Sequence, residues 1–223
     1  YWITTNICTK MGPRWMEKMI ETPELYAYKI DPDAWAKKMI ALGTRDKQWD
    51  LVVETLGPEI YTFPLFTEEF CNLIIKHAEK TGKWTKARHK FYPTTDILLE
   101  DIGLKEMYDY VLENYAHPVA RKLWKLEGTS WNKNLKSEDF IARYKHTDQA
   151  SLDIHQDHAD YTFTVGLNSE YEGGGTWFPR QQVLANPKSG YVSLFPSVTH
   201  RHGGRPTTNG TRYIIVSFVK KGD

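Results

Sequence analysis

The stretch Ser151 to Asn168, SLDIHQDHADYTFTVGLN, constrains this chain more than any other. Its second half, Tyr161-Thr162-Phe163-Thr164-Val165-Gly166-Leu167, alternates large apolar with small or polar residues, the period of a strand. Just upstream lie His155 and Asp157, separated by one residue. On extended backbone, residues two apart face the same side. An imidazole nitrogen and a carboxylate oxygen at a strand mouth can therefore grip one metal ion. Such a pair recurs by chance, so its weight depends on whether the chain supplies a third ligand.

The surrounding sequence is consistent with a β-rich C-terminal half. Phe140 to Tyr144 reads as a strand, as do Thr176 to Phe178 after the Glu172-Gly173-Gly174-Gly175 turn, Gly190 to Phe195 before Pro196, and Arg212 to Val219. Short strands at near-regular spacing with Gly and Pro turns predict a sandwich or barrel.

The N-terminal part reads differently. Pro13 to Ile20 carries an apolar stripe at helical spacing through Trp15, Met16, Met19 and Ile20. Asp31-Pro32 is a helix start, with Asp as N-cap and Pro at the first position. Trp35, Met39 and Ile40 form the apolar face, and Gly43 is the expected stop. Gly57-Pro58 breaks the chain, and Ile60 to Phe66 reads as a strand. Thr67-Glu68-Glu69 caps another helix, lined by Phe70, Leu73, Ile74 and Ala78 and closed at Gly82, with His77 as a structural residue. Trp84 to Tyr92, WTKARHKFY, is expected to be a solvated charge run rather than a substrate-facing loop. Leu104 to Trp124 is a long helix weakened at His117-Pro118, where proline removes a donor.

The expected class is therefore α+β, with a helical lead-in over residues 1–58 and a second region over 59–223 whose β core begins near 139. Bulk numbers exclude some alternatives. Net charge is +1 over 223 residues, so nothing points to a polyanionic partner such as nucleic acid. No apolar run approaches a membrane span. Tyr1 in place of Met suggests an excised fragment, with any targeting signal outside it. Cys8 and Cys71 are too few for a disulfide framework and read as plain thiols. Eight Trp and 13 Tyr suit a surface that meets a peptide or a partner.

The third ligand should come from a strand that folds back beside the first. Thr199-His200-Arg201-His202-Gly203-Gly204 offers His200 and His202, and their spacing alone does not choose between them. Two histidines and one carboxylate make the facial set of non-haem Fe(II) oxygenases. Arg212 follows His202 by ten residues at the start of the last strand. Its planar fork suits the far carboxylate of a dicarboxylic co-substrate.

These segments together resemble a known family. HxD, then TFTVGLN, then YEGGGTWFP, then THRHGGRPTTNGTRYIIVSF are similar to the Fe(II)/2-oxoglutarate dioxygenases of the prolyl and lysyl hydroxylase superfamily, and most of all to the catalytic domain of procollagen-lysine 5-dioxygenases. FPLFTEEFCNLIIKHAEKTGKWT resembles the start of that domain, and DPDAWAKKMI the segment before it. The short lead-in and divergent middle suit a distant member, such as one from a giant DNA virus that modifies collagen-like proteins. The resemblance implies a double-stranded β-helix, or jelly roll, with packed N-terminal helices. It implies His155, Asp157 and His202 as iron ligands, and Arg212 with Tyr144 as the holders of the 2-oxoglutarate 5-carboxylate. His158 and His200 then stand behind or beside the metal. The cofactors implied are Fe(II), 2-oxoglutarate, O2 and ascorbate. The implied reaction is hydroxylation of lysine C5 in collagen-like X-Lys-Gly peptides, giving succinate and CO2, by a homodimer. Cellular members work in the endoplasmic reticulum lumen, and a viral one would work in the host cell. A peptidyl-proline 4-hydroxylase is the nearest rival, although such enzymes typically carry Lys where this chain has Arg212. A jelly-roll peptide-binding module with a dead site is the rival outside enzymes. A substrate ammonium would need an acid, and Asp153, Asp160, Glu170 and Glu172 are the candidates near the metal motif.

Overall fold

The two faces of the strand Tyr161–Gly166 organise the architecture. Tyr161, Phe163 and Val165 point one way into the main hydrophobic core, while Thr162 and Thr164 point the other way into a cavity. A strand buried on both faces needs helices on one side and a second sheet on the other. The structure is a computed structural model, and it describes residues 22–89, 91–126, 129 and 135–222. The expected helix over Pro13 to Ile20, and Cys8, lie outside the described residues.

Seven α-helices follow one another among the described residues: α1 (Pro23–Tyr26), α2 (Pro32–Met39), α3 (Leu42–Arg45), α4 (Trp49–Val52), α5 (Glu68–Thr81), α6 (Lys105–Val111) and α7 (His117–Leu123). The strands are β1 (Glu54–Gly57), β2 (Ile60–Pro64), β3 (Asp96–Leu98), β4 (Leu135–Lys145), β5 (Leu152–His155), β6 (Tyr161–Gly166), β7 (Tyr171–Gly173), β8 (Thr176–Phe178), β9 (Val183–Ala185), β10 (Tyr191–Pro196), β11 (His202–Gly204) and β12 (Thr207–Lys221). The larger sheet runs β1-β2-β10-β6-β12-β4-β3, with β7 also on β12, and the smaller runs β5-β11-β8-β9. Every pairing between these strands is antiparallel. This is the expected jelly-roll arrangement with helices packed on its outer face.

The helix starts follow the expected chemistry. Asp31 accepts from the Ala34 amide at 2.9 Å with Pro32 at the first helical position. Thr67 accepts from Phe70, and Gly82 closes α5 at φ 64°, a left-handed value that a side chain resists. His77 is structural, 2.8 Å from the Ile102 carbonyl. Two expectations change. Gly43 is not the stop of α2; it sits within α3, and α2 ends because Ile40 turns extended to bridge Phe66. The long helix from 104 is split by a π-helical turn over Leu112–Ala116 before Pro118, which absorbs the lost donor.

Leu25, Trp35, Met39 and Ile40 of the lead-in share one core with Phe63, Phe70, Tyr108, Phe163 and Ile215. β1 also pairs with β2 across the turn at Pro58. Among the described residues, no helix is long and apolar enough to cross a membrane.

Candidate metal centre and its cavity

His155 ends β5, and His202 begins β11 directly opposite it in the antiparallel register. Asp157 follows two residues after His155, just past the strand. Their ligand atoms lie within 4.8 Å of one another, and all three residues are buried. His155 Nε2 is 3.3 Å from Asp157 Oδ1, and His202 Nε2 is 3.5 Å from Oδ2.

The tautomers follow from the partners. His155 Nδ1 meets the Asp153 carbonyl at 2.8 Å, and His202 Nδ1 meets the His200 carbonyl at 2.9 Å. A carbonyl only accepts, so each Nδ1 donates and each Nε2 is left facing Asp157. Asp157 Oδ2 accepts from the Thr162 hydroxyl at 2.6 Å, while Oδ1 has no hydrogen-bond partner among the described residues. Burial pushes the Asp157 carboxyl up, but the His155 contact, the His202 charge and the Thr162 hydroxyl outweigh it and hold it below the ordinary range. Burial pushes His202 down, and it titrates below its usual value despite Asp157. His155 goes the other way: burial lowers it, yet Asp157 and the Asp153 carbonyl raise it overall. An ionised carboxylate and two imidazoles, each with Nδ1 held by a carbonyl and Nε2 turned to that carboxylate, form a donor set that fits a divalent cation.

The spacing left His200 and His202 equal, and the tertiary structure separates them. His200 Nε2 lies 2.9 Å from the Pro58 carbonyl, and its Nδ1 meets the Thr199 hydroxyl. Both of its nitrogens are therefore engaged away from the cluster. His158 is exposed and lines the cavity without joining the cluster.

The cluster opens on a cavity of about 1050 Å³. Arg212 of β12 stands opposite Tyr144 of β4, its guanidinium 5.6 Å from the tyrosine ring centre. Arg212 is 2% exposed, and its Nε and Nη2 have no hydrogen-bond partner among the described residues. These two donors form one edge of the guanidinium, the edge that grips a carboxylate side-on. The buried Thr164 hydroxyl, also on the cavity wall, is likewise unpartnered. Burial pushes the Tyr144 hydroxyl up to about 12, so it stays a donor at neutral pH. An unpaired buried cation costs several kcal/mol, and a bound dicarboxylate offsets that. Gly174 of the EGGG turn holds this arrangement: at φ 71°, a Cβ there would stand 3.0 Å from Arg212 Cδ.

Two further expectations meet the cavity differently. The segment 84–92 is not simply a solvated run: Arg88, His89, Phe91 and Tyr92 line the cavity, and the Tyr92 ring is 5.1 Å from that of His155. None of Asp153, Asp160, Glu170 and Glu172 lines it; Asp160, for instance, accepts from the Lys221 amide. Sequence reasoning also passed over Thr162, although the Thr-Phe-Thr alternation places both threonines opposite Phe163.

Comparison with known proteins agrees with this geometry. Residues 140–220 match the 2OG-Fe(II) oxygenase superfamily, and residues 21–129 match the OGFOD2-like domain. The chain is 34% identical over 212 residues to the multifunctional procollagen lysine hydroxylase and glycosyltransferase LH3 of Homo sapiens, covering 88% of this chain and 28% of that protein. It is 34% identical over 210 residues to the human procollagen-lysine,2-oxoglutarate 5-dioxygenase 1, with the same coverage. The chain thus spans little more than a quarter of these relatives. Among solved structures, a viral collagen prolyl hydroxylase from Paramecium Bursaria Chlorella virus-1 superposes with a TM-score of 0.54 at 21% identity, over 74% of this chain and 98% of that one. A Pseudomonas putida prolyl-4-hydroxylase gives 0.57 at 12% identity, over 74% and 94%. Likeness at that identity speaks for the fold alone.

Proposed function

The chain belongs, through residues 140–220, to the 2OG-Fe(II) oxygenase superfamily, a membership that implies Fe(II), 2-oxoglutarate and O2, and on that premise we propose that it hydroxylates lysine at C5 in collagen-like X-Lys-Gly peptides. The observation that carries the oxygenase reading is the pairing of a buried His155/Asp157/His202 cluster with an unpartnered guanidinium edge in one cavity. The lysyl assignment rests on the 34% identity to lysine hydroxylases.

In this reading His155, Asp157 and His202 are the iron ligands. Bound iron supplies the oxidising chemistry that couples decarboxylation of 2-oxoglutarate to hydroxylation. The chain's own residues position and shield. Arg212 takes the 5-carboxylate on its free edge, with Tyr144 donating beside it. Thr162 holds Asp157, and the Asp153 and His200 carbonyls fix both ring orientations. Phe140, Ile214 and Val216 give the wall an apolar stretch that excludes water.

The test is succinate release with Gly-X-Lys repeat peptides, against the same peptides carrying proline or norleucine for lysine. Turnover confined to the lysine peptides is the expected result. Comparable turnover of proline peptides would overturn the lysyl assignment in favour of a prolyl one. No spectroscopic change on anaerobic addition of Fe(II) and 2-oxoglutarate would identify a binding module instead. We also propose a homodimer, as the resemblance implies; a monomer at micromolar concentration by light scattering, fully active, would refute it.

A further inference from the structure

Lysine C5 lies two bonds from a cationic nitrogen, so a site that hydroxylates it must also hold an ammonium, and a buried ammonium without a partner is costly. This inference rests on the lysyl reading above. Among the described residues, two carboxylates line the cavity, Asp157 and Glu138. Asp157 belongs to the metal cluster, which leaves Glu138.

Its position on the sheet is suitable. Glu138 of β4 stands opposite Phe218 of β12, and Phe218 stands opposite Thr162 of β6, whose hydroxyl holds Asp157. Glu138 and Thr162 are thus in one row on the inner face, two strand spacings or roughly 10 Å apart. A glutamate side chain and the end of a lysine side chain can span that distance between them.

Glu138 already holds a cation. Arg88 donates to it, and the same guanidinium donates to Asp96 at 2.8 Å and stacks 4.9 Å from the centre of the Phe140 ring. Asp96 is fully buried and keeps further partners, the Thr94 hydroxyl and His89 at 3.6 Å. Glu138 is half exposed, its side chain at 51%, and among the described residues Arg88 is its one cationic partner. Two carboxylates therefore share one guanidinium, and the less buried of them faces the cavity. Lys136 and Lys220, opposed one step further out on that face, are exposed to solvent.

We propose that Glu138 receives the ammonium of the substrate lysine, and that Arg88 occupies Glu138 until the substrate arrives, then stays on Asp96. The experiment compares kcat/KM for a Gly-X-Lys repeat peptide with that for its norleucine counterpart, within each variant, so that general damage cancels. The wild-type protein favours lysine. In Glu138→Gln that ratio falls about tenfold or more, the scale of one hydrogen bond between charged groups. Glu138→Asp keeps the charge and restores part of the ratio. A Glu138→Gln protein with the wild-type ratio would overturn the assignment while leaving the lysyl reading intact. A wild-type protein that does not favour lysine, or that turns over proline peptides equally, would sink the lysyl reading and this inference with it.

Discussion

His202 donates from Nδ1 to the carbonyl oxygen of His200, 2.9 Å away, and His200 in turn lies 2.9 Å from the Pro58 carbonyl in the β1–β2 turn. One histidine thus serves as a ligand candidate and the other as its mount. His202→Ala is expected to abolish Fe(II) affinity. His200→Ala keeps the backbone carbonyl but loosens it, and should weaken affinity by roughly 10-fold, the usual scale for a group behind a ligand. Calorimetric titration with Fe(II) under anaerobic conditions measures both, and equal affinity of His202→Ala and wild type would reverse the assignment.

Arg212→Lys keeps the charge but loses the fork. The apparent KM for 2-oxoglutarate should rise roughly 10- to 100-fold, from a loss of about 1.5–3 kcal/mol for hydrogen bonds to a charged group. Gly174→Ala should act on the same constant without touching the co-substrate, because its Cβ would press on Arg212 Cδ and on the Tyr171 ring, each at 3.0 Å. It should also cost about 1 kcal/mol or more of stability for a side chain at positive φ. Steady-state kinetics at varied 2-oxoglutarate and thermal melts check the pair.

Metal affinity should fall as the solution is acidified. In the metal-free protein the raised His155 pKa means a proton is held on the site at higher pH than an ordinary histidine would hold one. Metal must displace it, so affinity is lost as pH falls through that raised value. Asp157, held below the ordinary range, and His202, also lowered, add little near neutrality. Chelator competition at pH 8, 7 and 6 reads the trend, and a flat profile would contradict it.

His117 makes a separate prediction about stability. Burial, with Arg121 and Lys105 nearby, pushes it down to about 3, and its Nδ1 meets the Tyr161 hydroxyl at 3.1 Å. The folded value is below the unfolded one of about 6.5. Above pH 6.5 both states are neutral and nothing is lost. Below it the unfolded chain takes the proton first, so stability falls with pH. At pH 5 the cost is about 2 kcal/mol, from 1.36 kcal/mol per pH unit. Urea melts at pH 7 and pH 5 should show that loss in the wild-type protein and a smaller one in His117→Gln.

Much of this protein follows from its sequence by short-range rules. Period two in Tyr161–Gly166 placed one face on the core and one on the cavity, and HxD placed two ligand candidates on one edge. Asp31 with Pro32, and Thr67 with Gly82, marked helix ends, because caps are satisfied within a few residues. What only the tertiary structure decided depends on partners far apart in the chain. His202 is separated from His200 by a carbonyl at Pro58, some 140 residues upstream, to which no local pattern points. β5, β7, β9 and β11 are three or four residues long, too short for alternation to register, and exist because neighbouring strands satisfy their backbone. Asp153, Asp160, Glu170 and Glu172, near the metal motif in sequence, do not line the cavity, while Glu138, on a strand before the motif, does, because the pleat and the register of β4 on β12, not nearness along the chain, set where a side chain points.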